Sequence, residues 1–140
     1  MREPTPGEEK VGAAVALAAE VGHVFVATAS SDGLPHLAAA GSMSLDDAGL
    51  VRVSEWFCPG TMANLAENRR VALVAWDREA DRGYQLLGRV AEVEELAFVD
   101  GYAARMGDEA APQVERKLVI EVERVLDFSQ GPHSDRPEFK

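Results

Sequence analysis

The stretch VATASSDGLPHLAAAGSMSLDDAGLVRVSEWF, residues 26–57, alternates short runs of strand-favouring residues with two turn signals. These signals are SSDG (30–33) and DDAG (46–49), and both combine Asp with the Gly that tight hairpin turns favour. The runs beside them predict antiparallel strands over three segments, 23–29, 34–43 and 50–57. The stretch therefore indicates a mainly β protein built from hairpins.

The same two-residue period returns further along the chain. It predicts three more strands, at 70–77, 84–93 and 116–128, which brings the total to six. Segments 24–29 and 71–76 are apolar on both faces, so one face can line a barrel interior while the other needs a cover. The pattern favours a single domain, residues 1–140, in the form of a small closed or nearly closed barrel that dimerises.

Helices are predicted beside the strands. The first covers about 5–22, with Thr5 as its N-cap, Glu8 closing a capping box and Gly22 ending it. Its apolar residues recur at helical spacing, which predicts that it lies over the sheet as a cover. The remaining segments outside the strands are predicted as a short second helix within 57–68, a third helix over 94–107 and a surface tail at about 129–140.

The charge of the chain limits its partners. It has 24 acidic and 14 basic residues, which gives a formal net charge of −10. Proteins that bind DNA or RNA usually present a basic face, so nucleic acid is not an expected partner.

Targeting signals are not apparent in the sequence. No apolar run approaches the roughly 20 residues that cross a bilayer, and the opening MREPTPGEEK lacks the apolar core of a signal peptide. The single cysteine, Cys58, suits a reducing compartment because it cannot form an intramolecular disulfide. We therefore expect a cytoplasmic protein that does not bind a membrane.

One short segment, CPGTMANLAEN (58–68), places a helix start directly after a strand. Thr61 is predicted as the N-cap, which would leave the amides of residues 62–64 for an acceptor. Oriented N–H groups and the helix dipole make such a terminus an anion site. Ser42 and Ser54, on neighbouring strands, could add hydroxyl donors. From spacing alone, a connecting helix without any ligand is the simpler interpretation.

Metal chemistry and side-chain catalysis find little support in the sequence. The three histidines, His23, His36 and His133, have no ligand spacing with Cys58 or with an acidic residue, so no metal site is expected. No nearby basic residue activates Cys58 as a nucleophile. Because no acid–base pair or triad is visible, the catalytic residues stay unassigned.

Taken in order, these elements resemble the pyridoxamine 5'-phosphate oxidase-like, FMN-binding split-barrel family. The shared features are the hairpin DGLPH (32–36), the helix motif TMANLAEN (61–68), the strand VALV (71–74) and a following strand with a late glycine, Gly88. The similarity covers about residues 22–95 in unbroken order.

The resemblance implies a homodimer of six-stranded antiparallel split barrels, with FMN in the cleft between the subunits. The phosphate would lie at the start of the second helix, and the ring system would lie along the second and third strands. Gln85 would reach the ring or the ribityl chain. The implied cofactor-binding residues are Ala40, Gly41, Ser42, Ser54, Trp56, Pro59, Gly60, Thr61, Asn64 and Gln85.

The sequence departs from this family in its charges. Members that bind FMN usually carry Lys or Arg on the second strand and before the helix. Here the corresponding stretches, LAAAGSM (37–43) and CPGT (58–61), contain neither. The cations that could compensate are Arg52, Arg69, Arg70 or an arginine of a second subunit.

The leading functional hypothesis is an FMN-binding oxidoreductase, or flavin-reductase-like protein, with NAD(P)H or another molecule as electron donor. A flavin carries the hydride itself, so the protein has to hold, shield and tune the ring. One alternative is a binding protein without turnover, for flavin, deazaflavin F420 or haem. The other is a structural dimer that holds no cofactor.

Overall fold

The computed structural model describes residues 3–56, 58–99 and 113–139, and within these ranges it shows two helices and eight strands. The helices are α1 (Pro6–Val21) and α2 (Pro59–Glu67). The strands are β1 (Val24–Ala29), β2 (Pro35–Ala40), β3 (Ser42–Leu45), β4 (Val51–Trp56), β5 (Arg70–Asp77), β6 (Arg82–Val99), β7 (Gln113–Phe128) and β8 (Glu138–Phe139).

The strands form one antiparallel sheet in the order β2-β1-β5-β6-β7-β4-β3, with β8 added beside β7. β2 and β3 stand at opposite ends of this order, yet only Gly41 separates them along the chain. The sheet must therefore curl until its two ends approach each other. The result is a split β-barrel, as the sequence predicts.

The core fills the inside of this curled sheet. Alternate residues of the strands point inward, such as Val24 and Val26 on β1 and Val51 and Val53 on β4, and all four are fully buried. The inner face of α1 joins the same cluster and packs against β3, β5 and β6; its buried residues are Gly7, Val11, Ala14, Leu17 and Ala18.

The ends of α1 confirm the predicted capping pattern. The Thr5 hydroxyl accepts a hydrogen bond from the Glu8 N–H at 3.1 Å, and the Glu8 carboxylate accepts one from the Thr5 N–H at 3.0 Å. Gly22 ends the helix in the left-handed region with φ of 85°, where glycine has no steric penalty.

All six predicted strands are present, with two differences in detail. The predicted strand 34–43 is divided at Gly41 into β2 and β3, and the predicted tail contributes the short β8. The hairpin turns lie where the sequence places them, with Gly33 and Gly49 at φ of 87° and 85°.

The predicted helix over 94–107 is wrong over 94–99, where β6 continues as a strand. Glu94 and Glu95 lie directly opposite Lys117 and Arg116 of β7. Opposite charges in cross-strand positions stabilise a sheet, and this pairing overrides the local helical pattern. Residues 100–107 lie outside the described residues.

The segment 129–139 is attached to the barrel through Asp81. Its carboxylate accepts hydrogen bonds from the N–H groups of Gln130 at 2.6 Å and Gly131 at 2.8 Å, and from the Trp76 indole at 3.1 Å. These donors, the Gln130 N–H first, lower the pKa of Asp81 below its ordinary value. In the part of the chain that the structure describes, no helix is long and apolar enough to cross a membrane.

We expect Gly88→Ala to destabilise the barrel by at least about 2 kcal/mol, because overpacking against backbone cannot relax by a rotamer change. A Cβ at residue 88 would lie 2.3 Å from the Glu121 carbonyl oxygen of β7. Gly12→Ala in α1 is the matched control, since a Cβ there meets no atom within 4 Å. That change should raise stability by about 0.5–1 kcal/mol. Urea unfolding measures both, and equal effects would contradict the close approach of β6 and β7.

Candidate functional site

The helix α2 begins three residues earlier than predicted. Its N-cap is Cys58, whose side chain makes no capping hydrogen bond, and Pro59 occupies the first helical position. The prediction of Thr61 as N-cap is therefore wrong. The physical reason is that proline has a helical φ and no N–H to satisfy, so it starts the helix itself. The Met62 N–H is already bonded to the Cys58 carbonyl at 3.2 Å.

The first turn of α2 offers backbone donors rather than side-chain donors. The N–H groups of Gly60 and Thr61 have no acceptor within the helix. The Thr61 side chain is fully buried and donates to the Cys58 sulfur at 3.3 Å, while the Asn64 amide donates to the Thr28 hydroxyl at 3.0 Å. Thr61 has no exposed surface, so a phosphate at this position would meet the main-chain amide of half-buried Gly60 rather than a side chain.

The imidazole of His36 packs directly against Gly60. A Cβ at residue 60 would lie 2.6 Å from His36 Nε2, so only glycine leaves the ring its present position. His36 Nδ1 is buried and has no hydrogen-bond partner within the described structure. His36 is on β2 opposite Thr28 of β1. The sequence predicted His36 only as part of the hairpin motif, because its proximity to α2 depends on the curl of the sheet.

The predicted residues on β3 and β4 are partly brought together. Ser42 and Ser54 are directly opposite each other, on the face that looks away from buried Met43 and Val53. Gly41 is exposed, whereas Ala40 is buried and turned towards the core. The backbone of Trp56 pairs with Glu115.

Gln85 lies apart from the other nine predicted residues. It is on β6, opposite Val74 of β5 and Leu126 of β7. Gln85 is opposite Leu126 of β7, whereas Ser54 is opposite Lys117 of the same strand, so the two residues lie far apart along β7 within one chain.

Sequence reasoning missed Glu55, which is only 3% exposed. Both of its carboxylate oxygens are buried without a hydrogen-bond partner in the described part of the chain. Arg116 lies opposite on β7, but its Nε is 3.8 Å from Glu95 and forms an ion pair there. The strand period was sufficient to find it, because Glu55 follows Val51 and Val53 on the inward face.

The three arginines considered as substitutes for the missing cations are engaged elsewhere. Arg52 forms ion pairs with Glu94 at 2.7 Å and Asp46 at 3.2 Å. Arg69 donates to the Val90 carbonyl at 3.4 Å, and Arg70 lies 3.7 Å from Glu123. No group of three His, Cys, Asp or Glu side chains is placed to hold a metal ion within residues 3–56, 58–99 and 113–139.

Comparison of the sequence with known proteins identifies a family that it matches. The sequence model of the pyridoxamine 5'-phosphate oxidase family matches residues 12–128. The uncharacterized protein MJ0282 of Methanocaldococcus jannaschii is 30% identical over 117 residues, which are 81% of this chain and 77% of that protein.

Solved structures share the fold. A putative pyridoxamine 5'-phosphate oxidase from Lactobacillus delbrueckii is 28% identical, with a TM-score of 0.54 over 81% of this chain and 90% of its own. A pyridoxamine 5'-phosphate oxidase-related, FMN-binding protein from Nostoc punctiforme has a TM-score of 0.60 at 10% identity, over 91% and 87% of the two chains.

The contact between His36 and Gly60 can be tested with a double-mutant cycle. We expect Gly60→Ala to cost about 1 kcal/mol or more in the native background, because the new methyl group displaces the His36 ring. In a His36→Ala background the same change should be neutral or slightly stabilising, because alanine favours the helix over glycine. Urea unfolding of the four proteins gives the coupling. An equal cost in both backgrounds would show that the imidazole does not determine the need for glycine.

Proposed function

Because this chain belongs to the pyridoxamine 5'-phosphate oxidase family, we propose that it is an FMN-binding oxidoreductase with flavin-reductase-like activity. The observation that carries the proposal is the start of α2, where a β-strand runs into a helix whose first amides have no intrahelical acceptor. A bound flavin would supply the hydride or electron transfer, with NAD(P)H as one donor.

The residues of this chain would hold and orient that group. The N–H group of half-buried Gly60 would hold the phosphate, and exposed Pro59 leaves this first turn open to solvent, whereas Thr61 is fully buried beneath it. The Ser42 and Ser54 hydroxyls would add donors beside the ring, on the outer face of β3 and β4. Because these donors are neutral, phosphate binding would be weaker than in a site with charged donors.

We propose further that the flavin site lies between two copies of the chain. In one chain Gln85 and Ser54 lie opposite residues of β7 that are far apart along the strand, Leu126 and Lys117, so a Gln85 beside the Ser54 ligand would come from a second copy. Leu37 is 65% exposed, and Ala39 is exposed on the same face of β2, while Leu34, just before the strand, is 71% exposed. A neighbouring apolar surface would cover them.

The assembly is tested by light scattering. We expect a species of twice the 15.1 kDa of one chain, and Leu37→Glu should convert it into monomers because a carboxylate cannot be buried cheaply in an apolar contact. Arg78→Glu in the β5–β6 turn is the control, since it adds more negative charge away from β2. A native monomer at micromolar concentration would remove the second wall of the proposed cleft.

Haem or F420 is the second candidate ligand. The fold is shared with an F420 reductase, at a TM-score of 0.53 and 17% identity, and with the haem storage protein HutZ from Vibrio cholerae, at 0.51 and 14%. His36 carries the imidazole that such ligation would use, but its Nδ1 is buried and its Nε2 packs against Gly60, so binding to haem iron would require this contact to open. The visible absorption spectrum of the purified protein separates these ligands, because flavin and haem absorb in different bands.

Phosphate docking on α2 is tested by placing a charge at its first position. Pro59→Glu should weaken FMN binding about fivefold, because about 1 kcal/mol of repulsion opposes the phosphate. Pro59→Gln, which has nearly the same size and no charge, is the matched control. Fluorescence quenching measures the affinities, with riboflavin as the ligand that lacks a phosphate. If Pro59→Glu weakens FMN and riboflavin equally, or neither, the phosphate does not lie at α2.

A further inference from the structure

Glu55 is a buried carboxylate near the end of β4 that the proposed flavin site does not use. It follows Val51 and Val53 on the inward face of the strand and is 3% exposed. Within the described residues, neither of its carboxylate oxygens has a hydrogen-bond partner. A carboxylate that is buried as an isolated ion costs far more than one that is paired or protonated. The burial of Glu55 therefore indicates either a bound proton or a partner within reach.

Arg116 of β7 is directly opposite Glu55. Opposite residues share a face, with their Cβ atoms about 5 Å apart, and Arg116 precedes buried Leu118 by two positions on the inward face. The Arg116 side chain is 16% exposed, and its Nε lies 3.8 Å from the Glu95 carboxylate. A charge-assisted hydrogen bond would be about 2.7–2.9 Å long. The guanidinium is therefore held only loosely by Glu95.

Arg116 lies between two carboxylates with different needs. Glu95 of β6 is directly opposite Arg116, and its side chain is 60% exposed. An ion pair with an exposed carboxylate contributes little to stability, because water solvates both charges when the pair opens. Glu55 has no such access to water, so leaving its charge unpaired is costly. An ionised Glu55 would therefore compete successfully with Glu95 for the guanidinium.

The other charged side chains beside Glu55 face elsewhere. β4 packs against β7, β3 and β2. On β7, Glu115 and Lys117 alternate with Arg116 and so face the outer side of the sheet. β3 has no charged residue, and the titratable residue of β2 is His36, which packs against α2. Among the described residues of these strands, Arg116 is thus the cation placed to pair with Glu55.

We propose that the Arg116 guanidinium is a two-position switch that a proton on Glu55 controls. When Glu55 is protonated, Arg116 pairs with Glu95, as in this structure. When Glu55 loses the proton, its carboxylate takes the guanidinium through two parallel hydrogen bonds, and Glu95 returns to water. The new pair ties β7 to the end of β4, the strand that leads into α2. The switch does not depend on flavin binding, since its three residues are outside the proposed flavin site.

The test follows the Nε–H signal of Arg116 by NMR in the full chain, from about pH 4 to about pH 8. We expect the signal to shift as the pH rises, and its hydrogen exchange to slow as the buried pair forms. Glu55→Gln should abolish this transition, and Glu95→Gln should keep it. Lys117→Gln, the next residue on β7 but on the outer face, is the matched control and should keep it as well. A transition that is lost in Glu95→Gln and kept in Glu55→Gln would overturn the proposal.

A double-mutant cycle gives a second, independent measurement. Near pH 8, Glu55→Gln and Arg116→Gln should be coupled by about tenfold in the unfolding equilibrium constant, and near pH 4 this coupling should disappear. The cycle of Glu95→Gln with Arg116→Gln should give at most about a threefold coupling at pH 8. A coupling between Glu55 and Arg116 that is absent near pH 8, or equal at both pH values, would contradict the switch. The NMR test requires no change at Arg116, so it stands even where Arg116→Gln does not fold.

Discussion

The whole structure depends on one segment, residues 35–45, pairing with two different strands. Its first half, β2, bonds to β1, and its second half, β3, bonds to β4. Because β1 and β4 are otherwise separated by β5, β6 and β7, this pairing forces the sheet to curl at Gly41. The curl brings His36 of β2 against Gly60 of α2, although α2 follows β4, which lies near the other end of the sheet order. The candidate site is thus a product of barrel closure rather than of any local motif.

The start of α2, residues 58–61, would hold a phosphate without a lysine or arginine side chain of its own. Neutral backbone amides and an imidazole take the place of Lys or Arg, and the nearby arginines are paired with carboxylates or a carbonyl. In a chain of net charge −10, long-range attraction would also work against an anionic ligand. Affinity at this position would therefore depend on short-range geometry, which makes the fit of His36 on Gly60 more important than it would be beside a strong cation.

The sequence was sufficient for those features that arise from neighbouring residues. The strands, both hairpin turns and the capping box of α1 all follow from patterns within a few positions. The failures have a shared physical cause. At 94–99 the pairing with β7 outweighs the local helical period. The contact between His36 and Gly60 depends on the pairing of strands distant in sequence, which no local pattern encodes. Two failures are exceptions, because the sequence carried a local signal for each. Pro59 marked the start of α2, and the two-residue period of Val51 and Val53 marked Glu55 as inward-facing.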